Sequence, residues 1–131
     1  MTQDFSQAPD LSDIEAIATR AFAALPEKIT HLVRNVTFHV QDFPGPQTMR
    51  DMELETPFDL LGLYSGLPMN QRSVGDTPPD LDRIFLYRRP LLDCWCETGE
   101  DLKAIVRNVL IHEIGHHFGL SDADMQRIEE S

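Results

Sequence analysis

The segment His112–Asp122 constrains this chain more than any other stretch, because it places metal-binding side chains at helical spacing. His112 and His116 are four residues apart, so a helix puts both side chains on one face, one turn apart. Two imidazoles in that arrangement can reach a single ion, and zinc binds neutral imidazole nitrogen. Glu113 follows about 100° around the helix, where it can accept a proton from a metal-bound water.

A third ligand is expected just beyond this helix. Gly119 can adopt a positive φ and end the helix, which lets the chain reverse. Asp122 can then return toward the ion, and a carboxylate is an acceptable zinc ligand. We therefore predict both histidines and Asp122 as zinc ligands and Glu113 as general base. Two alternatives stay open: a polar end of a surface helix, or Asp122 in the first turn of a last helix capped by Ser121.

Hydrophobic periodicity predicts the scaffold around this segment. The predicted helices span residues 12–24, with Ser12 as N-cap, residues 99–118, with Thr98 as cap, and residues 122–130. The predicted strands span residues 33–40, 60–64 and 83–88; the last is apolar on both faces and is expected to be central. Proline, glycine and polar residues indicate loops at residues 41–57 and 68–81, the second with the length of a mobile flap.

These elements predict an α+β fold. A small mixed sheet of three or four strands would pack with the N-terminal helix and with the metal-binding active-site helix. The length of 131 residues is that of one domain, here residues 1–131. Residues 1–10 are polar, contain Pro9 and are interpreted as a loose arm.

The chain resembles the zincin metallopeptidases, in particular the small bacterial minimal zincin, or possible zinc metallopeptidase, family. The resemblance rests on the pattern His-Glu-x-x-His-x-x-Gly-x-x-Asp at residues 112–122, and residues 60–66 and 82–90 are similar as well. It implies a minimal zincin-like fold, a bound Zn²⁺ and hydrolysis of peptide bonds. The chain departs from the longer metzincin pattern, because Asp122 stands where those enzymes have histidine and only nine residues follow it.

The composition of the chain limits the classes of partner that we expect it to bind. The 22 acidic and 11 basic residues leave a net charge of −11, which argues against nucleic acid and anionic membranes as partners. The N-terminus lacks the basic and apolar regions of a signal peptide, and no apolar run approaches the roughly 20 residues that span a bilayer. Cys94 and Cys96 are interpreted as reduced thiols, so we expect a cytoplasmic protein. Composition leaves the oligomeric state unknown.

Three functional hypotheses follow, the third of which is an ordinary interaction domain in which the motif occurs by chance. The first is a zinc-dependent metallopeptidase that acts on a peptide or protein substrate, with a metal-activated water and Glu113 as general base. The alternative is a non-catalytic metal-binding domain with a structural or interaction role. An open coordination position favours catalysis, and a closed shell of four protein ligands favours the structural role.

Overall fold

The computed structural model describes residues 7–33, 35–66 and 82–130. Its helices are α1 (Leu11–Ala23), α2 (Glu27–Thr30), α3 (Pro46–Asp51), α4 (Arg88–Thr98), α5 (Leu102–His117) and α6 (Asp122–Glu129). Its strands are β1 (Val36–Gln41), β2 (Gly62–Ser65) and β3 (Asp82–Tyr87), and a 3₁₀ turn at Pro57–Asp59 precedes β2. The α+β fold with a small mixed sheet is confirmed. The predicted flap at residues 68–81 lies outside the described residues. The third strand, predicted after it, is described.

The sheet has the strand order β1-β3-β2. β1 runs parallel to β3, and β2 runs antiparallel to it, with Gly62 opposite Leu86 and Tyr64 opposite Ile84. The central position of β3 agrees with its apolar residues on both faces, because a central strand covered on both sides excludes water from both. β2 lies at one edge of this described sheet.

The core lies between α1, α5 and the sheet. The fully or nearly fully buried apolar residues include Ile14, Ile17 and Ala18 of α1, Ile84 and Leu86 of β3, and Ile105, Val106, Leu110, Ile111 and Ile114 of α5. These α5 residues recur at helical spacing, so one stripe of the helix is buried and its flanks remain available for function. No described helix combines the length and the apolar character that a membrane span requires.

Two helix starts differ from the predicted ones. α1 is capped by Asp10, whose carboxylate accepts from the Asp13 backbone N–H at 2.8 Å, and not by Ser12. Pro9 is buried, and its carbonyl accepts a hydrogen bond from Arg88, so this end of the predicted arm is held in place. α5 is capped by Asp101 and not by Thr98. In both places several side chains can cap, and residue preference alone does not choose among them.

Two predicted irregular regions contain helices. The predicted loop at residues 41–57 includes α3. The third strand was expected to end at residues 88–90, and α4 begins there. Pro46 and Pro90 lie in the first turns of these helices, where a missing backbone N–H costs no intrahelical hydrogen bond. Cys94 and Cys96 lie on α4, and both are free thiols.

Gly62 lets β2 approach α5 closely. A Cβ atom at this position would lie 2.7 Å from Val109 Cγ1 on α5 and 3.0 Å from the Phe85 carbonyl oxygen on β3. The backbone oxygen cannot turn aside as a side chain can. The absence of a side chain at Gly62 therefore fixes the separation between the edge strand and the helix that carries the histidines.

We expect Gly62→Ala to lower the free energy of unfolding by about 1–3 kcal/mol, because the added methyl overpacks the contact between strand and helix. Denaturant unfolding followed by circular dichroism measures the loss. Gly45→Ala is the matched control, because a Cβ at Gly45 meets nothing within 4 Å. The control should change stability by about 0.5 kcal/mol or less. Equal stability of the two variants would contradict this account of Gly62.

Candidate metal centre

The last two turns of α5 carry both predicted imidazole ligands. The rings of His112 and His116 have centroids 5.8 Å apart and planes inclined at 56°. His112 keeps 44 % of its side-chain surface exposed, and His116 is exposed as well. The structure therefore brings the two imidazoles together on one solvent-accessible face of the helix, as their spacing predicted.

Glu113 points from α5 toward the edge of the sheet. Its Oε1 accepts a hydrogen bond from the backbone N–H of Tyr64 at 3.1 Å. Burial raises the pKa of the Glu113 carboxyl, while the Tyr64 N–H and the charges of His116 and His112 act in the opposite direction. The chain thus holds a carboxylate of raised proton affinity beside two imidazoles.

Tyr64 anchors this edge of the sheet to α5. Its ring stacks on His117 with centroids 4.1 Å apart, and it meets Phe118 edge to face at 5.7 Å. Its hydroxyl donates to Asp82 Oδ2 at 2.5 Å, in a buried position. The side chains of Tyr64 and His117 are therefore engaged with each other on the core side of Glu113, where they fix the strand that binds its carboxylate.

Asp122 lies where the alternative interpretation of the motif placed it. Gly119 has φ +78° and lets the chain turn after α5, as expected. Ser121 then caps α6 by accepting from the Asp124 N–H, and Asp122 is exposed in the first turn. Within residues 7–33, 35–66 and 82–130, no three His, Cys, Asp or Glu side chains converge as a metal-binding group. Ligation by Asp122 stays a prediction.

Glu129 is the residue near the histidines that sequence reasoning missed. Its Oε1 forms an ion-pair contact with His112 Nε2. Arg107 holds this end of α6 against α5, because its guanidinium donates to the carbonyl oxygens of Ile128 and Glu129, each at 3.1 Å. Glu129 follows Asp122 by seven residues, close to two helical turns, so both carboxylates lie on nearly the same side of α6. That spacing is the signal that could have identified it.

The donor chemistry of this region fits zinc. Two imidazoles share one face, and two carboxylates extend from the adjacent helix α6. Imidazole nitrogen and carboxylate oxygen are the ligands found in zinc sites with three protein ligands. A metal ion at His112 Nε2 requires the Glu129 carboxylate either to move away or to join the coordination shell.

A cavity of about 360 Å³ adjoins the two residues at the start of the motif, His112 and Glu113. It lies between α5, the segment that leads into β2, and the C-terminal part of α4. Its apolar wall includes Leu61, Ile105 and Val109. The predicted base therefore lies beside a space that can hold a ligand side chain.

A family model described as zincin-like metallopeptidase matches residues 33–131. This chain belongs to the zincin-like metallopeptidase family. The match extends over all three described strands and over α5 and α6, so the resemblance inferred from the motif is confirmed. A search of curated proteins found no match. For a zincin-like chain, the pair of imidazoles and the neighbouring carboxylate on α5 form the candidate active centre.

We expect Glu129→Gln to tighten zinc binding by up to about fivefold. The ion pair with the partly exposed His112 stabilises the metal-free state by about 1 kcal/mol or less, and zinc must replace that contact. Competition with a chromophoric chelator measures the dissociation constant.

Glu130→Gln is the matched control, because Glu130 lies in the same turn, carries the same charge and pairs with Gln126 at 3.2 Å instead of with a histidine. The control should leave zinc affinity nearly unchanged. A tenfold or greater weakening in Glu129→Gln alone would instead identify Glu129 as a zinc ligand and refute the expected competition.

Proposed function

We propose that this chain is a zinc-dependent peptidase in which His112, His116 and Asp122 hold the metal and Glu113 is the general base. The position of Glu113 is the observation that carries the proposal. Its carboxylate is partly buried near both imidazoles, is hydrogen-bonded to the edge strand and adjoins a cavity. Membership of a family of zincin-like metallopeptidases supports the same chemistry.

The metal has a defined part in this proposal. Zinc held there would supply a Lewis acid that polarises a peptide carbonyl and makes water a stronger nucleophile near neutral pH. The two imidazoles would bind it as neutral ligands, and Asp122 would add a negative charge. The approach of Asp122 requires a shift of the first turn of α6 relative to the arrangement described above.

Glu113 is suited to proton transfer by the way its two oxygens are used. Oε1 is fixed by the Tyr64 N–H, so the carboxylate cannot rotate freely. Oε2 then takes the proton of the attacking water and delivers it to the leaving amine. Burial, which raises the pKa of the carboxyl, strengthens it as a proton acceptor.

The edge strand β2 offers a place for the substrate backbone. The N–H of Tyr64 points away from β3 toward Glu113, whereas the carbonyl of Leu61 accepts from Tyr87 N at 3.0 Å on the β3 side. Residues alternate along a strand, so Gly62 presents its backbone groups on the same outer side as Tyr64. The Tyr64 N–H stays bonded to Glu113, so an extended peptide would pair with the outer backbone groups of Gly62 and with the Tyr64 carbonyl, which brings the peptide beside Glu113.

We expect Glu113→Gln to lower kcat by about 10²–10⁴-fold, because the amide cannot accept the proton of the attacking water. Zinc content should stay at the wild-type value, since the imidazoles are unchanged. Cleavage of a broad peptide library, with metal analysis of the same samples, measures both quantities. Glu27→Gln, an exposed residue of α2, provides the charge control. Full peptidase activity in Glu113→Gln would refute this mechanism.

A second function is favoured by one observation, the contact between Glu129 and His112. If both α6 carboxylates joined the two imidazoles, four protein ligands would close the shell and leave no position for a substrate. Closed four-ligand zinc sites are structural. The chain would then be a metal-stabilised binding domain without peptidase activity.

Removal of the metal separates the two functions. For the peptidase, we expect EDTA to abolish cleavage while the far-ultraviolet circular dichroism stays within about 10 % of its starting value, because apolar contacts among α1, α5 and the sheet hold the fold. For a structural site, removal of zinc unfolds the chain, since binding and folding are then coupled. A cooperative loss of helical signal on chelation would therefore favour the second function.

A further inference from the structure

The cavity beside Glu113 is lined by both apolar and acidic residues. Leu60, Leu61, Ile105 and Val109 line its sides, next to the backbone of Gly62. Two acidic residues line it as well: Asp59, which precedes β2, and Glu100, which precedes α5. Among the described residues that line it, no lysine or arginine occurs. The space therefore combines apolar contact surface with negative charge.

The two acidic residues differ in what their carboxylates already bind. Asp59 accepts hydrogen bonds from the backbone N–H groups of Glu55 and Thr56, at 3.2 and 3.0 Å, and from the Thr56 hydroxyl at 3.2 Å. The Asp59 carboxylate therefore already stabilises the 3₁₀ turn through these hydrogen bonds. Glu100 is exposed, and its own backbone N–H is fixed on the Thr98 hydroxyl at 3.2 Å. Glu100 is the better placed of the two to meet a ligand charge.

The thiol of Cys94 lines the cavity, and three acidic side chains affect its pKa. Burial is the first cause that raises the pKa of its thiol, and the negative charges of Glu100, Glu97 and Asp93 raise it further. Of these three acidic residues, Glu100 lines the cavity together with Cys94. Glu100 therefore places a negative charge at the lining of the cavity, which favours a cation there.

We propose that this cavity receives a side chain with an apolar stem and a cationic end, lysine or arginine, from the bound peptide, with Glu100 as the specificity-determining residue. The inference rests on the proposed function, because it places that side chain next to the bond that Glu113 acts on. The methylene groups of lysine or arginine cover the leucine and valine wall, and the charged end reaches Glu100 at the exposed rim. An acidic side chain would meet like charge in the same place.

Three fluorogenic peptides that differ at one position test the preference: lysine, norleucine and glutamate in an otherwise identical alanine frame. We expect kcat/KM to fall in that order, with lysine about three- to fivefold above norleucine, as is typical of an exposed ion pair. The difference should lie in KM, because Glu100 binds substrate and takes no part in the proton transfer.

Glu100→Gln should lower the kcat/KM of the lysine peptide to that of the norleucine peptide, because the charge that favours lysine is gone. Glu97→Gln is the matched control, because it removes the same charge from an exposed residue of α4 that does not line the cavity. It should keep most of the lysine preference. Loss of that preference in both variants alike would show a general charge effect and overturn the assignment to Glu100.

Binding without cleavage separates this inference from the proposed function. The ¹⁵N-labelled full chain is titrated with the lysine and norleucine tripeptide amides, and the amide signals of Gly62 and Val109 are followed. Cleavage of all peptides without a preference for lysine would overturn the inference and leave the peptidase intact. Lysine-selective shifts that Glu100→Gln removes, with no cleavage of any peptide, would support the cavity assignment and refute the peptidase. Neither binding nor cleavage would refute both.

Discussion

The hydrogen bond from the Tyr64 N–H to Glu113 is the interaction on which the rest of the site depends. It joins the edge strand to α5 across 3.1 Å and satisfies a carboxylate that burial penalises. A buried charge is tolerated only where hydrogen bonds and nearby charges offset its lost hydration. Here the backbone of β2 and the two neighbouring histidines supply that compensation, so the base, the strand and the imidazoles form one unit.

This unit is held from several sides. Gly62 removes the side chain that would separate β2 from Val109, and Tyr64 is fixed by its contacts with His117 and Asp82. Gly62 and Val109 also line the cavity, so the contact that brings β2 close to α5 forms part of the cavity wall. The packing that raises the pKa of the Glu113 carboxyl therefore also fixes β2 beside the cavity, where we propose that a peptide binds.

Much of the fold could be predicted because its long elements have regular patterns. The buried stripe of α5 follows from a period of about 3.6 residues, and β3 follows from a short apolar run on both of its faces. The missed helices α3 and α4 share one feature, a proline in the first turn. Pro46 was interpreted as part of a loop and residues 88–90 as the end of a strand, yet each proline lies where its fixed φ is favourable to a helix. A proline identifies a helix start only when the residues after it are known to be packed.

In the candidate site, too, some residues could be predicted from local sequence and others depend on the tertiary structure. His112 and His116 could be paired from sequence, because four residues within one helix determine their relation. The spacing of seven residues places Glu129 on the side of α6 that carries Asp122, but its contact with His112 depends on how α6 folds back along α5 through the turn at residues 118–121. Arg107 sets that arrangement by binding the last carbonyls of α6, from a position more than one helical turn before His112.

The hairpin of α5 and α6 has a consequence for the metal ligands. The two helices run antiparallel. His116 lies about 6 Å from His112 along α5, and Asp122 lies about 10 Å from Glu129 along α6. Both displacements point in the same direction. With Glu129 level with His112, an ion bound by both imidazoles would lie between the levels of the two α6 carboxylates. A small slide or tilt of α6 would then decide which carboxylate reaches it. Helix packing, which the motif alone does not encode, would therefore set the choice between an open and a closed coordination shell.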